Sequence, residues 1–340
     1  MAGPPPAVAE VRVAVRRALA DLRGVPNTLV LAACSGGSDS LVLAAALGFV
    51  APRIGLRAGL VTVDHGLQQG SAARAATVAD WAKAQGMEPV EMVTVTVGVA
   101  GGPEAAARTA RYQALDDAAE RLDAVAVLLG HTRDDQAETV LLALARGSGL
   151  RGIAGMPQRR GVYRRPFLDL PREVVRAACA ALDLTPWEDP HNVDPAYARA
   201  RVRALLPTIE RALGPGVVAN LARTARLAAA DAAVLDGLGR RVLARVSDPA
   251  DPADSADPAD LSDTSGSGLD ATRLARYPTA VRTRVLHRWA LSLGCPGSAL
   301  SARHVDALDA LLTSWSGQGA VYLPGDIRVR RTGGRLVTVT

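Results

Sequence analysis

Between residues 28 and 144, short apolar runs alternate with longer stretches whose apolar positions recur at helical spacing. Thr28-Leu29-Val30-Leu31-Ala32-Ala33 carries no polar side chain after its first residue and predicts a strand buried on both faces. Segments 56–63, 89–97 and 124–129 have the same character, while 40–49, 71–85, 103–122 and 134–146 predict helices. Strands of this kind alternating with helices imply an α/β fold, a parallel sheet covered by helices on both faces. Ligands of such sheets bind beyond the carboxyl ends of the strands.

After Pro171 the pattern becomes mainly helical, over 172–246. The tract 247–268 is built from Pro, Asp, Ala, Ser and Gly with almost no bulky apolar side chain, so it predicts a disordered insert. Helices are expected again over 278–293 and 301–312, followed by short alternating strands over 320–339, with turns at Pro324-Gly325 and Gly333-Gly334. A chain of 340 residues suits two domains. The expected organisation is an N-terminal segment with a helix (1–27), an α/β domain (28–212) and a smaller, mainly helical domain with a short β end (213–340).

Composition sharpens this picture. Hydrophobic residues make up 49% but aromatics only 3%, so Ala, Val and Leu must fill the core. No apolar run reaches the roughly 18–20 residues of a membrane span. The Pro- and Ala-rich start lacks the cationic-then-apolar order of a signal peptide. The expected location is cytoplasmic, with no membrane partner. Cys34, Cys179 and Cys295 are far apart, which favours buried or free thiols over disulfides or a zinc site. The net charge of +5 suits a polyanionic partner. Lys83 is the only lysine, a bias that codon usage explains before any function does.

Chemistry concentrates first at Ser35-Gly36-Gly37-Ser38-Asp39-Ser40, between an apolar strand and a helix. Gly36 and Gly37 allow a sharp turn and a close backbone approach. The helix start offers free N–H groups and a positive dipole end, and Ser35, Ser38 and Ser40 add hydroxyls, which together suit an anion. Asp39 can hold a magnesium ion against phosphates. No Gly-Lys-Ser/Thr follows, so this is not a Walker loop. The hexapeptide resembles the PP-loop of the N-type ATP pyrophosphatases, whose fold is adenine nucleotide α-hydrolase-like. That resemblance implies ATP cleaved between its α and β phosphates and a carbonyl oxygen activated as an adenylate.

Further motifs narrow the resemblance. Val63-Asp64-His65-Gly66-Leu67 ends the second strand, and Glu104, Ala107-Arg108 and Arg111-Tyr112 follow on a helix. Gly130-His131-Thr132-Arg133-Asp134-Asp135-Gln136-Ala137-Glu138-Thr139 spans the fourth strand's end and the next helix. Gly155-Met156, Arg165-Pro166-Phe167, Trp187-Glu188-Asp189, Asn192, Tyr197, Arg199, Arg201, Arg203 and Pro207 complete the series. This ordered set closely resembles the tRNA(Ile)-lysidine synthetase family over 28–207, and more loosely beyond. Val321-Tyr322-Leu323-Pro324-Gly325 with Val329-Arg330-Arg331 resembles the close of its helical substrate domain. His191 and Ala200 depart from the residues usual there.

The resemblance implies roles. Asp135 and Glu138 hold the incoming lysine, His131 and Asp64 attend the nucleotide, and Arg203 stands nearest the reacting centre. His65 either lines the nucleotide pocket or caps the second strand. Arg108 and Arg111, three apart on one helix, can clamp the α-phosphate; for Arg108 a solvated face is the competing reading. Asp134, Asp135 and Glu138 also suit a helix start as dipole-favoured acids. The implied reaction uses ATP and Mg2+ to adenylate O2 of the wobble cytidine of isoleucine tRNA with a CAU anticodon. Free L-lysine then attacks C2, and lysidine, pyrophosphate and AMP result. Related enzymes often dimerise, which makes a homodimer a candidate state. Two rivals remain: a tRNA-thiolating PP-loop enzyme, which generally needs a cysteine pair or an iron–sulfur cluster, and a non-catalytic tRNA-binding protein with a decayed loop. Against the second, Asp39, Asp135 and Glu138 are all intact.

Overall fold

The computed structural model describes residues 3–25, 27–66, 68, 70–98, 103–190, 193–247, 268–297 and 299–339, without the side chains of 103 and 104. The tract expected to be disordered lies outside these residues except for Ser247 and Gly268, as do Leu67, His191, Asn192 and the Glu104 side chain. The chain divides into two units, Met1–Ala229 and Ala230–Thr340.

The first unit runs α1 (Pro6–Ala18), β1 (Leu29–Ala33), α2 (Ser38–Val50), β2 (Arg57–Asp64), α3 (Ser71–Ala84), β3 (Val90–Thr94), α4 (Pro103–Arg121) and β4 (Ala124–Leu128). It continues with α5 (Arg133–Ala145), α6 (Gly149–Ile153), β5 (Arg159–Arg160), β6 (Tyr163–Arg164), α7 (Arg172–Ala181), α8 (Ala198–Leu213) and the start of α9 (Val217–Ser247). The sheet order is β3-β2-β1-β4-β6-β5. The four long strands and β6 are parallel, but β5 pairs antiparallel with β6. The sheet is therefore mostly rather than wholly parallel. A two-residue strand has no periodicity to read, which is why the edge hairpin was not anticipated.

Both faces of the sheet are covered, as the apolar strands require. Val30 and Ala32 of β1 join one core with Val42, Leu43 and Leu47 of α2, Val11 and Val15 of α1, and Val175 of α7. Leu29 and Leu31 point the other way, into a core with Leu115 and Ala118 of α4. The two-residue alternation of β1 thus feeds two separate apolar layers. Buried Arg164 of β6 ties α1 to this frame by donating to the Ala18 carbonyl and pairing with Asp21.

Because β2, β1 and β4 are neighbours, their carboxyl ends open on one edge, with Ala33 opposite Val61 and Ala32 opposite Leu128. Gly130, just beyond β4, packs directly on the start of α2. A β-carbon there would sit 3.0 Å from the Asp39 carbonyl oxygen and 3.2 Å from the Ser40 nitrogen.

The second unit contains the rest of α9, β7 (Leu269–Asp270), α10 (Ala271–Ala275), α11 (Thr279–Ser292), α12 (Ala302–Thr313), β8 (Val321–Leu323), β9 (Ile327–Thr332) and β10 (Arg335–Val339). Its antiparallel sheet has the order β7-β10-β9-β8. Gly333 and Gly334 turn β9 into β10 with φ of 55° and 76°, the positive pair that a tight hairpin needs. Trp289, Leu286, Leu274, Leu308 and Val329 form the centre of its core. Arg282 holds Asp309 with two contacts, at 2.8 and 2.9 Å, linking α11 to α12.

Gly130→Ala is expected to lower unfolding stability by about 1–3 kcal/mol, because its methyl group meets backbone rather than a side chain that can swing away. Urea denaturation measures it; a change within experimental error would refute the close approach.

Candidate active site

The loop after β1 owes its shape to Gly36, at φ +86°, and to one hydroxyl. Ser40 Oγ donates to the Gly37 carbonyl at 2.9 Å and accepts from the Ser35 amide at 3.2 Å. Ser40, which also borders the cavity over this loop, is thus a buried brace for the loop as well as a hydroxyl beside the expected phosphate site. Gly37 precedes α2, and no side chain caps that helix, so the first-turn amides keep their capacity for an anion.

A cavity of about 460 Å3 opens over this loop. Ser35, Gly37, Ser38 and Asp39 border it from the loop, Asp64 and His65 from the end of β2, and His131 and Asp135 from beyond β4. Arg111 reaches it from α4, and Arg172 and Arg203 reach it from α7 and α8. Trp187 closes one side: its amide donates to the Gly36 carbonyl at 2.9 Å, and Arg74 stacks 3.4 Å from its ring centroid. Gln68 donates to Asp189 at 2.8 Å on the same side.

Three buried polar atoms in this wall have no protein partner: His65 Nδ1, Arg111 Nε and His131 Nδ1. Buried polar atoms are nearly always paired, so unpaired atoms at a cavity are open to a ligand or a water. Burial lowers the pKa of all three side chains, keeping both imidazoles neutral. Asp64 is held below the usual carboxylate range by the Gly66 amide, which donates at 2.9 Å, and by Ser71.

The acids beyond β4 are not vacant. Asp135 Oδ2 accepts from the Thr132 amide at 2.7 Å and its hydroxyl at 2.8 Å, closing a capping box at the start of α5. Asp135 Oδ1 accepts from Arg172 Nη2 at 2.7 Å. Glu138 is fully buried behind the cavity wall and pairs with Arg203 Nε at 2.8 Å and Arg172 Nη2 at 3.2 Å. Burial pushes the Asp135 carboxyl up, yet Arg172 and the Thr132 donors bring it below its ordinary value. Asp39 behaves oppositely. Burial and the neighbouring Asp135 push its carboxyl up to about 6, outweighing Arg172 at 4.0 Å.

The structure therefore gathers most of the expected residues, with three exceptions: Glu138, which lies behind the cavity wall, Arg108 and Gly36. Arg108 does not border the cavity: it stacks 4.8 Å from the Tyr112 ring centroid on an exposed face. Gly36 supports the loop from behind. The cavity also includes Arg172, which no motif in the sequence marks. Arg201 turns away, donating to the Pro195 carbonyl at 2.6 Å.

Magnesium takes few carboxylates and fills its shell with phosphate oxygens and water. Among the described residues no group of three or more His, Cys, Asp or Glu could cage a metal. The single desolvated carboxylate of Asp39 at the loop fits a cation that arrives with phosphates.

A family model described as a PP-loop domain matches residues 10–209, and one described as the TilS substrate binding domain matches residues 269–337. A tRNA(Ile)-lysidine synthase of Salinispora arenicola is 59% identical, covering 100% of this chain and 98% of that one. Relatives of the same name from Thermobifida fusca and Streptomyces coelicolor are 57% and 52% identical, covering 99% and 98% of this chain and 99% of each of theirs. Among solved structures, the U34-tRNA thiolase NcsA of Methanococcus maripaludis shares the fold, with a TM-score of 0.54 at 21% identity over 65% of this chain and 80% of that one.

Asp39→Asn should raise the stability of the ligand-free protein on the order of 1–3 kcal/mol at pH 8. A carboxyl whose folded pKa lies above its ordinary 3.8 costs stability as pH rises toward about 6, and the cost stays complete above that. Denaturant melts at pH 8 and pH 5 test this. The gain should shrink at the lower pH, and a pH-independent difference would contradict the burial of this charge.

Proposed function

The chain belongs to the tRNA(Ile)-lysidine synthase family, and we infer from that membership and the cavity's donors that it is an ATP-dependent ligase joining lysine to C2 of the wobble cytidine of isoleucine tRNA with a CAU anticodon. The observation that carries the reading is the meeting in one cavity of uncapped α2 amides, an unpaired nitrogen on each of Arg111 and His131, and Asp135 beyond β4.

The reaction has two displacements. Cytidine O2 attacks the α-phosphorus, and pyrophosphate departs. The ε-amine of lysine then attacks C2, and the C2–O bond breaks as AMP leaves. The roles of the side chains are our assignment. The α2 amides with Ser35 and Ser38 hold the phosphates that leave as pyrophosphate. The partnerless guanidinium nitrogen of Arg111 faces the charge that builds on the α-phosphoryl oxygens. His131 and His65, neutral and with a ring nitrogen unpaired, attend the nucleotide. Asp135 and Glu138 receive the lysine ammonium, and a carboxylate beside it accepts the proton that the amine must lose before attack. Asp39 would hold a magnesium ion, which supplies charge neutralisation on the phosphates.

The target base must leave its stack to enter such a cavity, as is usual for bases read in RNA loops. Trp187, stacked on Arg74 at the cavity edge, offers a flat surface there. The second unit, matched over 269–337 by the substrate binding model, is assigned to holding the tRNA. We place the reaction in the cytoplasm with its tRNA. No helix among the described residues is long and apolar enough to cross a membrane.

A thiolation reading is not favoured. Cys34, Cys179 and Cys295 are buried and burial raises the pKa of each thiol, the reverse of what a nucleophile needs.

Incubation with ATP, labelled lysine and a CAU-anticodon isoleucine transcript should transfer label to RNA; release of pyrophosphate without label in RNA would refute the ligation. Asp39→Asn should lower adenylation about a hundredfold or more while leaving tRNA affinity unchanged, since only the nucleotide side is altered. Replacing all three cysteines by serine should leave turnover intact, and its loss would revive thiolation.

A further inference from the structure

Arg172 reaches both sides of the chemistry. Its Nη2 bridges Asp135 at 2.7 Å and Glu138 at 3.2 Å, while its Nε lies 4.0 Å from Asp39. Its own amide donates to Asp134 Oδ2 at 2.8 Å, which anchors the backbone independently of the side chain. Arg203 shares Glu138 Oε1 with Arg172, at 2.8 Å, donates to Oε2 at 3.3 Å and reaches Asp135 Oδ1 at 3.5 Å. The acids assigned to the lysine ammonium are thus already covered by guanidinium groups.

An ammonium cannot join that pair while Arg172 stays. Three cations would then crowd two carboxylates in a water-poor wall, where like charges repel strongly. Once Arg172 leaves, Asp135 and Glu138 face Arg203 alone, one positive charge short of balance. A destination lies nearby. A triphosphate on the loop brings several negative charges to the Asp39 side, and a guanidinium binds phosphate oxygens in a fork. Arg172 also sits in the first turn of α7, where the helix dipole disfavours a cation and a phosphate would compensate it.

We propose that Arg172 is a positioning residue that makes the lysine subsite conditional on the nucleotide. In the free enzyme it occupies Asp135 and Glu138 in place of the substrate's ammonium. When phosphates fill the loop it transfers to them, and the acids open. The inference rests on the assignment of those acids to lysine, and it orders the reaction: lysine is admitted only after ATP, so the amine does not occupy an enzyme that has nothing to attack.

The test is equilibrium binding of labelled lysine to the full chain, with and without α,β-methylene ATP, which cannot be cleaved at the reacting bond. For the unaltered protein the nucleotide should tighten lysine binding by about tenfold or more, and by linkage lysine should tighten the nucleotide by the same factor. Arg172→Gln should bind lysine without nucleotide about as well as the unaltered protein does with it. Arg172→Lys should restore part of the dependence. Lysine binding indifferent to nucleotide in the unaltered protein overturns the proposal, and that arm needs no variant to fold. A persistent dependence in Arg172→Gln, or lysine binding weakened equally in both conditions, also overturns it and marks Arg172 as a structural clamp. Absence of lysine binding under every condition overturns the amine-site assignment as well, which separates the two failures.

Discussion

The architecture depends on three parallel strands ending side by side against the start of one helix. β1 delivers the loop, β2 delivers Asp64 and His65, and β4 delivers Gly130 and His131, all to the same edge. Hydrogen-bonded strands lie about 5 Å apart, so three consecutive ends span roughly the width of a nucleotide's phosphate chain. The contact that keeps them together is steric. At Gly130 the chain passes so close to the Asp39 backbone that no side chain fits between them.

Charge is the second organising force, and it is deliberately uneven. Glu138 has no exposure at all, which is sustainable only because two guanidinium groups share it. Asp135 is locked by Thr132 as well as by Arg172. Asp39, on α2, has only a distant guanidinium to offset its burial and the neighbouring Asp135, and so holds its proton more tightly than an ordinary carboxyl. The wall therefore holds one satisfied acid pair and one unsatisfied acid. Their different appetites for cations match an amine on one side and a metal-bound phosphate on the other.

How much of this was legible in the sequence follows from the range of each interaction. The long strands and helices were readable because β1 is a pure apolar run and the following helices repeat their apolar positions locally. The β5–β6 hairpin was not, since Arg159-Arg160 and Tyr163-Arg164 pair only because β4 offers an open edge. Asp39, Arg111, His131 and Arg203 were found by motif, and the cavity includes them all. Arg172 escaped because its partners lie 37 and 34 residues away in sequence and no local pattern links them. Ser40 and Arg108 show how residue type alone leaves a role open. Their residue types suit phosphate, but one hydroxyl braces the loop and one guanidinium lies on an aromatic ring outside the cavity.

The brace at Ser40 has a thermodynamic consequence. A glycine-rich turn left to itself samples many shapes, and a ligand that had to select one would lose affinity to that search. Here the hydroxyl, bonded at both ends of the turn, has removed that freedom during folding. The entropy is lost once, when the chain folds, and not again each time a nucleotide arrives. Binding strength at this loop can then be spent on distinguishing the reacting state from the resting one.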